Sequence, residues 1–329
     1  MSTKIGFIGA GRVAAVHAEA LVSQPDVEVT AVADPRPGAA ASLAARFGAT
    51  AFEDVAPLLA LQDVDAVDIA VPHNLHVSLA EQAILANKHV FMDKPLATDR
   101  AGADRLVTLA AASDRVFMVC HNLLFHPAVV RAGQLLSSGA LGELRLCDAW
   151  SHGWLDLPPW DFRRDREATG GGAWIDNGPH LIYALEALAG KLTSITALPC
   201  TGASRLEGED SVAGAARFES GACGTMRISY AIRSEITDQP WPAGWRFGFR
   251  LDGTAGYLEL DLLPKARLHW YGGDGAHVDE LEGITFEDSF RGALREFVSS
   301  VIEQRRPKVG VLEARRCLEL TLGALAPCP

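Results

Sequence analysis

The segment "KIGFIGAGRVAAVH" near the N-terminus constrains the fold more than any other part of the chain. A short apolar run ends in Gly9-Ala10-Gly11-Arg12-Val13-Ala14, which fits G-x-G-x-x-G/A. Val13, Val16, Ala20 and Leu21 then recur at helical spacing. Alone, such a match is weak. Its setting strengthens it, because a second apolar run, "VEVTAVAD", ends on Asp34, 20 residues after Ala14. A dinucleotide-binding βαβ unit places there the acid that accepts from the ribose hydroxyls. The glycines admit a pyrophosphate to the amides of the helix N-terminus. Gly9, Gly11, Arg12, Val13 and Asp34 are therefore expected to hold a dinucleotide. Asp34 repels a 2′-phosphate, so NAD is expected. Arg36 could pair with such a phosphate and keeps NADP as the alternative.

The same alternation continues through "AVDIAVP", "HVFMDKP" and "VFMVCHN", with helical stretches at 38–47, 54–61, 75–87 and 100–113. Buried strands alternating with helices predict a parallel sheet covered on both faces. The pattern then changes. A helix over 126–138 leads to "LGELRLCDAW" and an aromatic, charged loop at 151–168. A helix opens near a triple glycine and runs to Gly190. From 192 to 271, strand-like runs follow one another with glycine-containing turns, and helices at about 285–305 and 311–325 close the chain. The expected fold is α/β. A Rossmann doubly wound parallel sheet covers 1–121, and an α+β domain with a large, open, mostly antiparallel sheet covers 122–329.

Composition narrows the partners. A net charge of −11 argues against nucleic acid or an anionic membrane surface. No apolar run reaches the length of a membrane span, and the first residues lack the features of a signal peptide. Cys120, Cys147, Cys200, Cys223, Cys317 and Cys328 form no CxxC pair, which suits free thiols in a reducing cytoplasm and no bound metal.

In a doubly wound sheet, ligands sit at the carboxyl ends of the strands. That directs attention to Val71, Pro72, His73 and Asn74, to Asp93-Lys94-Pro95, and to His121-Asn122. Lys94 would face the nicotinamide, where a cation stabilises a forming alkoxide. Asp176 and His180 follow the glycine run four positions apart, so they share a helix face. The helix dipole is expected to keep His180 neutral and able to accept a proton. The glycines would let the backbone approach a ligand. An equally physical reading makes Asp176 or Asn177 a helix cap and leaves His180 on the surface.

The chain resembles the glucose–fructose oxidoreductase, inositol dehydrogenase and rhizopine catabolism family (Gfo/Idh/MocA). The resemblance rests on "IGAGRVAAVH", "PHNLHVSLAEQAILANKHVFMDKP", "HNLLFHPAVVRAGQLLSSGALGEL", "WDFRRDREATGGGAWIDNGPH" and "LDGTAGYLEL", and it covers nearly the whole chain. It implies that Asp93-Lys94-Pro95 stands for the family's Glu-Lys-Pro motif and that Asp176 and His180 stand for its Asp-x-x-x-His pair. His76 stands for the His of the fourth strand–helix turn. It further implies NAD(P)-dependent oxidation of a sugar or cyclitol hydroxyl, or the reverse, by a homodimer or homotetramer built through the C-terminal sheet. Four departures stand out. Asp93 replaces Glu, Leu123 and Leu124 replace an arginine and make one wall less polar, Tyr183 stands where an acid often follows the histidine, and Pro179 inside the Asp–His turn is expected to kink the helix.

Substrate contacts are expected from Lys94, Asp176, Asn177 and His180, from Trp154, Trp160, Arg163 and Arg164 of the loop, and from Trp241 and Trp245. An indole suits the C–H face of a pyranose, and a guanidinium suits an anion. The favoured reading is a dehydrogenase of sugars or cyclitols, with glycoside C3 among its targets. The alternatives are an NAD-dependent glycosidase acting through a transient 3-keto sugar and an oxidoreductase of uronates or sulfo-sugars. A non-catalytic sugar sensor needs no Lys/Asp/His set and ranks below them.

Overall fold

The structure, a computed structural model, describes residues 2–22, 24–233 and 244–325. They form two compact units: Met1–Asn122 with Phe290–Leu318, and Leu123–Ser289 with Glu319–Pro329.

The first unit begins β1 (Thr3–Ile8), α1 (Arg12–Val22), β2 (Val27–Ala33), α2 (Ala39–Ala44), β3 (Thr50–Phe52) and α3 (Val55–Ala60). It continues through β4 (Ala66–Ile69), α4 (His76–Leu85), β5 (His89–Met92), α5 (Arg100–Ala111) and β6 (Phe117–Val119). The strands are parallel in the order β3-β2-β1-β4-β5-β6, the doubly wound arrangement expected from the alternating pattern. Phe7, Val67, Ile69, Phe91 and Met92 are fully buried, as strands with helices on both faces require. Asp54 and Asp99 cap α3 and α5 by accepting from the amides of Ala56 and Gly102. β3 is only three residues long and carries no apolar run for the sequence to announce.

The second unit holds α6 (Pro127–Ser137), β7 (Leu144–His152), a one-turn α7 (Arg166–Thr169) and α8 (Ala173–Ala189). Then come β8 (Leu192–Cys200), β9 (Ser211–Phe218), β10 (Cys223–Ser229), β11 (Arg246–Gly253), β12 (Tyr257–Leu263), β13 (Arg267–Gly272) and β14 (Gly275–Asp279). They form one eight-stranded sheet, β14-β13-β12-β11-β7-β10-β9-β8, antiparallel except for the β7–β10 pair. α8 packs across β7, β9 and β10.

The chain ends with α9 (Glu287–Ile302) and α10 (Val311–Ala324). Here the structure differs from the boundary expected at 121/122, because Phe290–Leu318 belongs with the first unit. The Phe290 ring lies 5.2 Å from His17 and Phe297 5.4 Å from Phe91, while Arg315 pairs with Asp104 at 2.6 Å. Amphipathic helices show where their apolar stripe lies, not which sheet it covers.

Candidate active site

In the first unit, Gly9 adopts φ 99° between β1 and α1, and a Cβ there would run into the Ala70 carbonyl oxygen. Gly11 faces open space, so the start of α1 is uncovered. Asp34 closes β2, 4% exposed, and accepts from the Ala10 amide at 2.8 Å. Arg36 forks onto the same carboxylate, with Nε at 3.0 Å from Oδ1 and Nη2 at 2.8 Å from Oδ2. Burial opposes ionisation of Asp34, but the Arg36 and Ala10 hydrogen bonds outweigh it and hold the carboxyl below its usual range. A glycine cradle, an open helix start and an ionised acid at the second strand fit a dinucleotide. Arg12 is exposed and Val13 half-buried at the mouth of that cradle.

Lys94 lies buried after β5, with Asp93 half-buried before it. His121 and Asn122, after β6, are buried too. Burial first, and then the Lys94 charge, push His121 down to about 3, so it is neutral. Val71 and Pro72 are half-buried, His73 is buried and Asn74 is exposed. His76 differs from its expected cofactor contact. It is fully buried, with Nδ1 2.7 Å from the Pro95 carbonyl and Nε2 3.1 Å from the Val71 carbonyl. Its ring lies between two strand-end turns, one of them carrying Lys94, and its single N–H can donate to one of them. Burial keeps it neutral by outweighing those two carbonyls.

In the second unit, Asp176 and His180 sit one turn apart on α8. Each is met by a tyrosine. The Tyr230 hydroxyl donates to Asp176 Oδ2 at 2.5 Å, and the Tyr183 hydroxyl lies 2.7 Å from His180 Nδ1. Burial and then the Asp176 charge push the Tyr230 phenol well above its ordinary value, so it stays a donor. Behind it, Asn177 donates to Tyr230 at 3.0 Å and accepts from Ser151 at 3.4 Å. Trp245 Nε1 donates to Ser151 at 3.0 Å. Asn177, half-buried, and Trp245, buried, thus brace Asp176.

The glycine run has another explanation than the expected one. Gly172 is the N-cap of α8, and a Cβ on it would collide with the backbone of Glu209. Glu209 Oε1 accepts from the amides of Gly172 and Trp174, at 3.1 and 3.0 Å. The close approach is to the protein's own chain, and the cap comes from Glu209 rather than Asp176 or Asn177. Counting from Ala173, His180 lies about two turns into the helix, beyond the reach of its dipole. Leu123 is fully buried and so lines no open wall, while its amide donates to the Tyr183 hydroxyl at 3.3 Å.

The loop arginines part company. Arg163 forks onto Asp161 at 2.8 and 2.5 Å, and the Asp161 and Asp176 charges keep it protonated against the cost of burial. Arg164 Nη1 is buried with no hydrogen-bond partner. Trp160 is 77% exposed. Trp154 stacks under the Arg233 guanidinium, 3.9 Å from its ring centroid, which occupies one face of the indole. Trp241 lies outside the described residues.

Known proteins agree with this layout. Residues 3–121 match the model of the oxidoreductase family with an NAD-binding Rossmann fold, and 129–259 match the GFO/IDH/MocA C-terminal domain. The chain belongs to the Gfo/Idh/MocA family. Among Gfo/Idh/MocA relatives, dTDP-3,4-didehydro-2,6-dideoxy-alpha-D-glucose 3-reductase of Actinomadura kijaniata is 37% identical over 55% of this chain and 54% of that enzyme. The Saccharopolyspora spinosa enzyme of the same name is 30% identical over 86% of this chain and 82% of its own. Several of these matches, the first included, span about half of the relative's length. A solved levoglucosan dehydrogenase, in complex with NADH and levoglucosan, superposes with TM-score 0.88 over 98% of this chain and 96% of that one, at 20% identity. No helix among the described residues is long and apolar enough to cross a membrane.

For a Gfo/Idh/MocA chain, the sequence reading missed Tyr230, Ser151 and Glu209, each tied to α8 or its neighbours from far along the chain. It also missed His17, whose Nδ1 lies 2.9 Å from the equally buried Asp68. Only Tyr183 carried a local signal, its spacing of three from His180.

Proposed function

We propose that this protein is an NAD-dependent oxidoreductase that exchanges hydride with a secondary carbon of a neutral sugar or cyclitol. The observation that carries this reading is the α8 pair, Asp176 and His180, each oriented by a tyrosine. Relatives that act on sugars and on inositol support the substrate class. Gly9, Gly11 and the start of α1 would hold the pyrophosphate, and Asp34 the adenosine ribose. The nicotinamide, when bound, supplies the hydride exchange. The residues of the chain then manage one oxygen. Asp176 fixes a neighbouring hydroxyl, and Lys94 and His180 share the proton and the charge that develops on the reacting oxygen. A cofactor-reduction screen over cyclitols, aldoses, glycosides and uronates tests the reading, and it fails if none of them reduces NAD.

NAD should be preferred over NADP in kcat/KM, because Asp34 is ionised where a 2′-phosphate would lie. Asp34→Ala should narrow that preference and release Arg36. A wild-type preference for NADP would overturn the assignment of Asp34.

One observation favours a second reading, an oxidoreductase of acidic sugars: the buried, unpartnered Arg164 Nη1 is a donor awaiting an acceptor. Arg163, engaged by Asp161, should behave differently. Arg163→Ala is expected to lower kcat/KM for a neutral sugar and its uronate alike. If the uronate is preferred, Arg164→Ala should cut that preference by roughly 10–100-fold, the worth of one charged hydrogen bond. Equal specificity in wild type and Arg164→Ala would retire the acidic reading.

A further inference from the structure

The first unit also buries a set of donor groups that the proposed function does not use. His17 comes from α1 and Asp68 from β4, while Asp93 and Cys120 follow β5 and β6. His17, Asp68 and Cys120 are fully buried, and Asp93 is half-buried. The Asp68 carboxylate takes one side of the imidazole, with its oxygens 2.9 and 3.2 Å from His17 Nδ1. On the other side, Nε2 lies 3.9 Å from Cys120 Sγ. One His17 nitrogen, the Cys120 sulfur and an Asp93 oxygen all lie within 4.8 Å of one another. The rings of Phe91 and Phe290 stand 5.4 and 5.2 Å from the imidazole.

A structural ion pair accounts for His17 and Asp68. It does not account for a thiol and a second carboxylate brought to the same ring from two other strand ends. Imidazole, thiolate and carboxylate together are a zinc donor set, whereas magnesium and calcium take oxygen. With Zn–N of about 2.0 Å and Zn–S of about 2.3 Å, tetrahedral angles set nitrogen and sulfur roughly 3.5 Å apart. The 3.9 Å between Nε2 and Sγ is close to that separation. A carboxylate on the remaining ring nitrogen is the usual support of a zinc-bound histidine, and an apolar shell limits competing water. Charge acts in the same direction. Burial above all raises the Cys120 thiol to about 11, and the Asp93 and Asp68 charges add to this against the pull of His17. Negative surroundings that resist a thiolate favour a dication, which then takes the sulfur as thiolate.

We propose that His17 Nε2, Cys120 Sγ and an Asp93 carboxylate oxygen form a Zn²⁺ site, with Asp68 orienting the imidazole. Three protein ligands leave a fourth position to water. Cysteine spacing gives no sign of such a site, because its donors stand at positions 17, 93 and 120. The site does not rest on the proposed function, and metal binding reads it without turnover.

Co²⁺ serves as the probe, because it takes zinc's place and colours a thiolate site. The full chain is titrated with Cys200, Cys223 and Cys328 replaced by serine, which removes the exposed thiols of Cys200 and Cys223. A single Co²⁺ should bind with the visible bands of tetrahedral coordination and a thiolate-to-cobalt charge-transfer band, and Zn²⁺ should displace it. Adding Cys120→Ser should abolish the charge-transfer band. Asp93→Asn should keep the band and weaken binding. Asp68→Asn, which leaves all three ligands, should weaken binding about 10–100-fold, the cost of losing the partner behind a ligand. Circular dichroism checks that each variant folds, and Asp93→Asn, at a half-buried position, carries the result if Asp68→Asn unfolds. No charge-transfer band in the parent chain, or an undiminished one in Cys120→Ser, overturns the site. Equal affinity in the parent and in Asp93→Asn overturns it as a three-ligand site.

Discussion

Alanine at Lys94 is expected to lower turnover by roughly 10²–10⁴ while dinucleotide binding persists, the range for a group that moves a proton or stabilises developing charge. Lys94 is 7% exposed at the carboxyl end of β5, where the sheet delivers ligands. Neutral His121 beside it and the His76 ring behind the Pro95 turn hold its surroundings without competing for protons. Removing the amine leaves those supports intact, so the cradle at Gly9 and Asp34 should bind NADH as before. Two measurements decide: kcat in the better direction, and NADH affinity by fluorescence. A Lys94→Ala enzyme within a few-fold of wild type would remove Lys94 from the chemistry.

Gly172→Ala should cost stability and activity together. A Cβ there would lie on the Glu209 backbone, which has no rotamer by which to escape, and 2.8 Å from Glu209 Cδ. Overpacking against backbone costs about 1–3 kcal/mol and sometimes more. It would also move the carboxylate that caps α8 just ahead of Asp176. The contrast is Gly133→Ala in α6, where an added Cβ meets nothing within 4 Å and helix propensity improves by about 0.5–1 kcal/mol. Thermal melts and kcat for the pair test this. A Gly172→Ala protein that melts and turns over like wild type would mean that the chain at Glu209 does not pass where described.

Local signals carried much of the architecture. The β1–α1 glycines, Asp34 and the apolar strands of the first sheet all announce themselves within a few residues, because period and turn chemistry are local properties. So does the spacing of Asp176 and His180. What escaped has partners far along the chain. Glu209 caps a helix that begins 36 residues before it, and Tyr230 reaches Asp176 across 54. Arg36 and Arg163 looked available as anion ligands, yet each folds back on an aspartate two residues away. That pairing turns on one rotamer, which no pattern of residue types encodes. The triple glycine was legible as a close approach, but not as an approach to Glu209.

The route of the chain has an evolutionary corollary. It leaves the first unit after Asn122, returns at Phe290 and departs again after Leu318. A gene fragment ending at 122 would therefore encode a sheet stripped of Phe290 and Phe297, the rings that close over His17 and Phe91. Such a fragment could not be shuffled as a free-standing cassette. Exchanging the second unit between relatives while keeping the first would take three crossovers, after 122, before 290 and after 318.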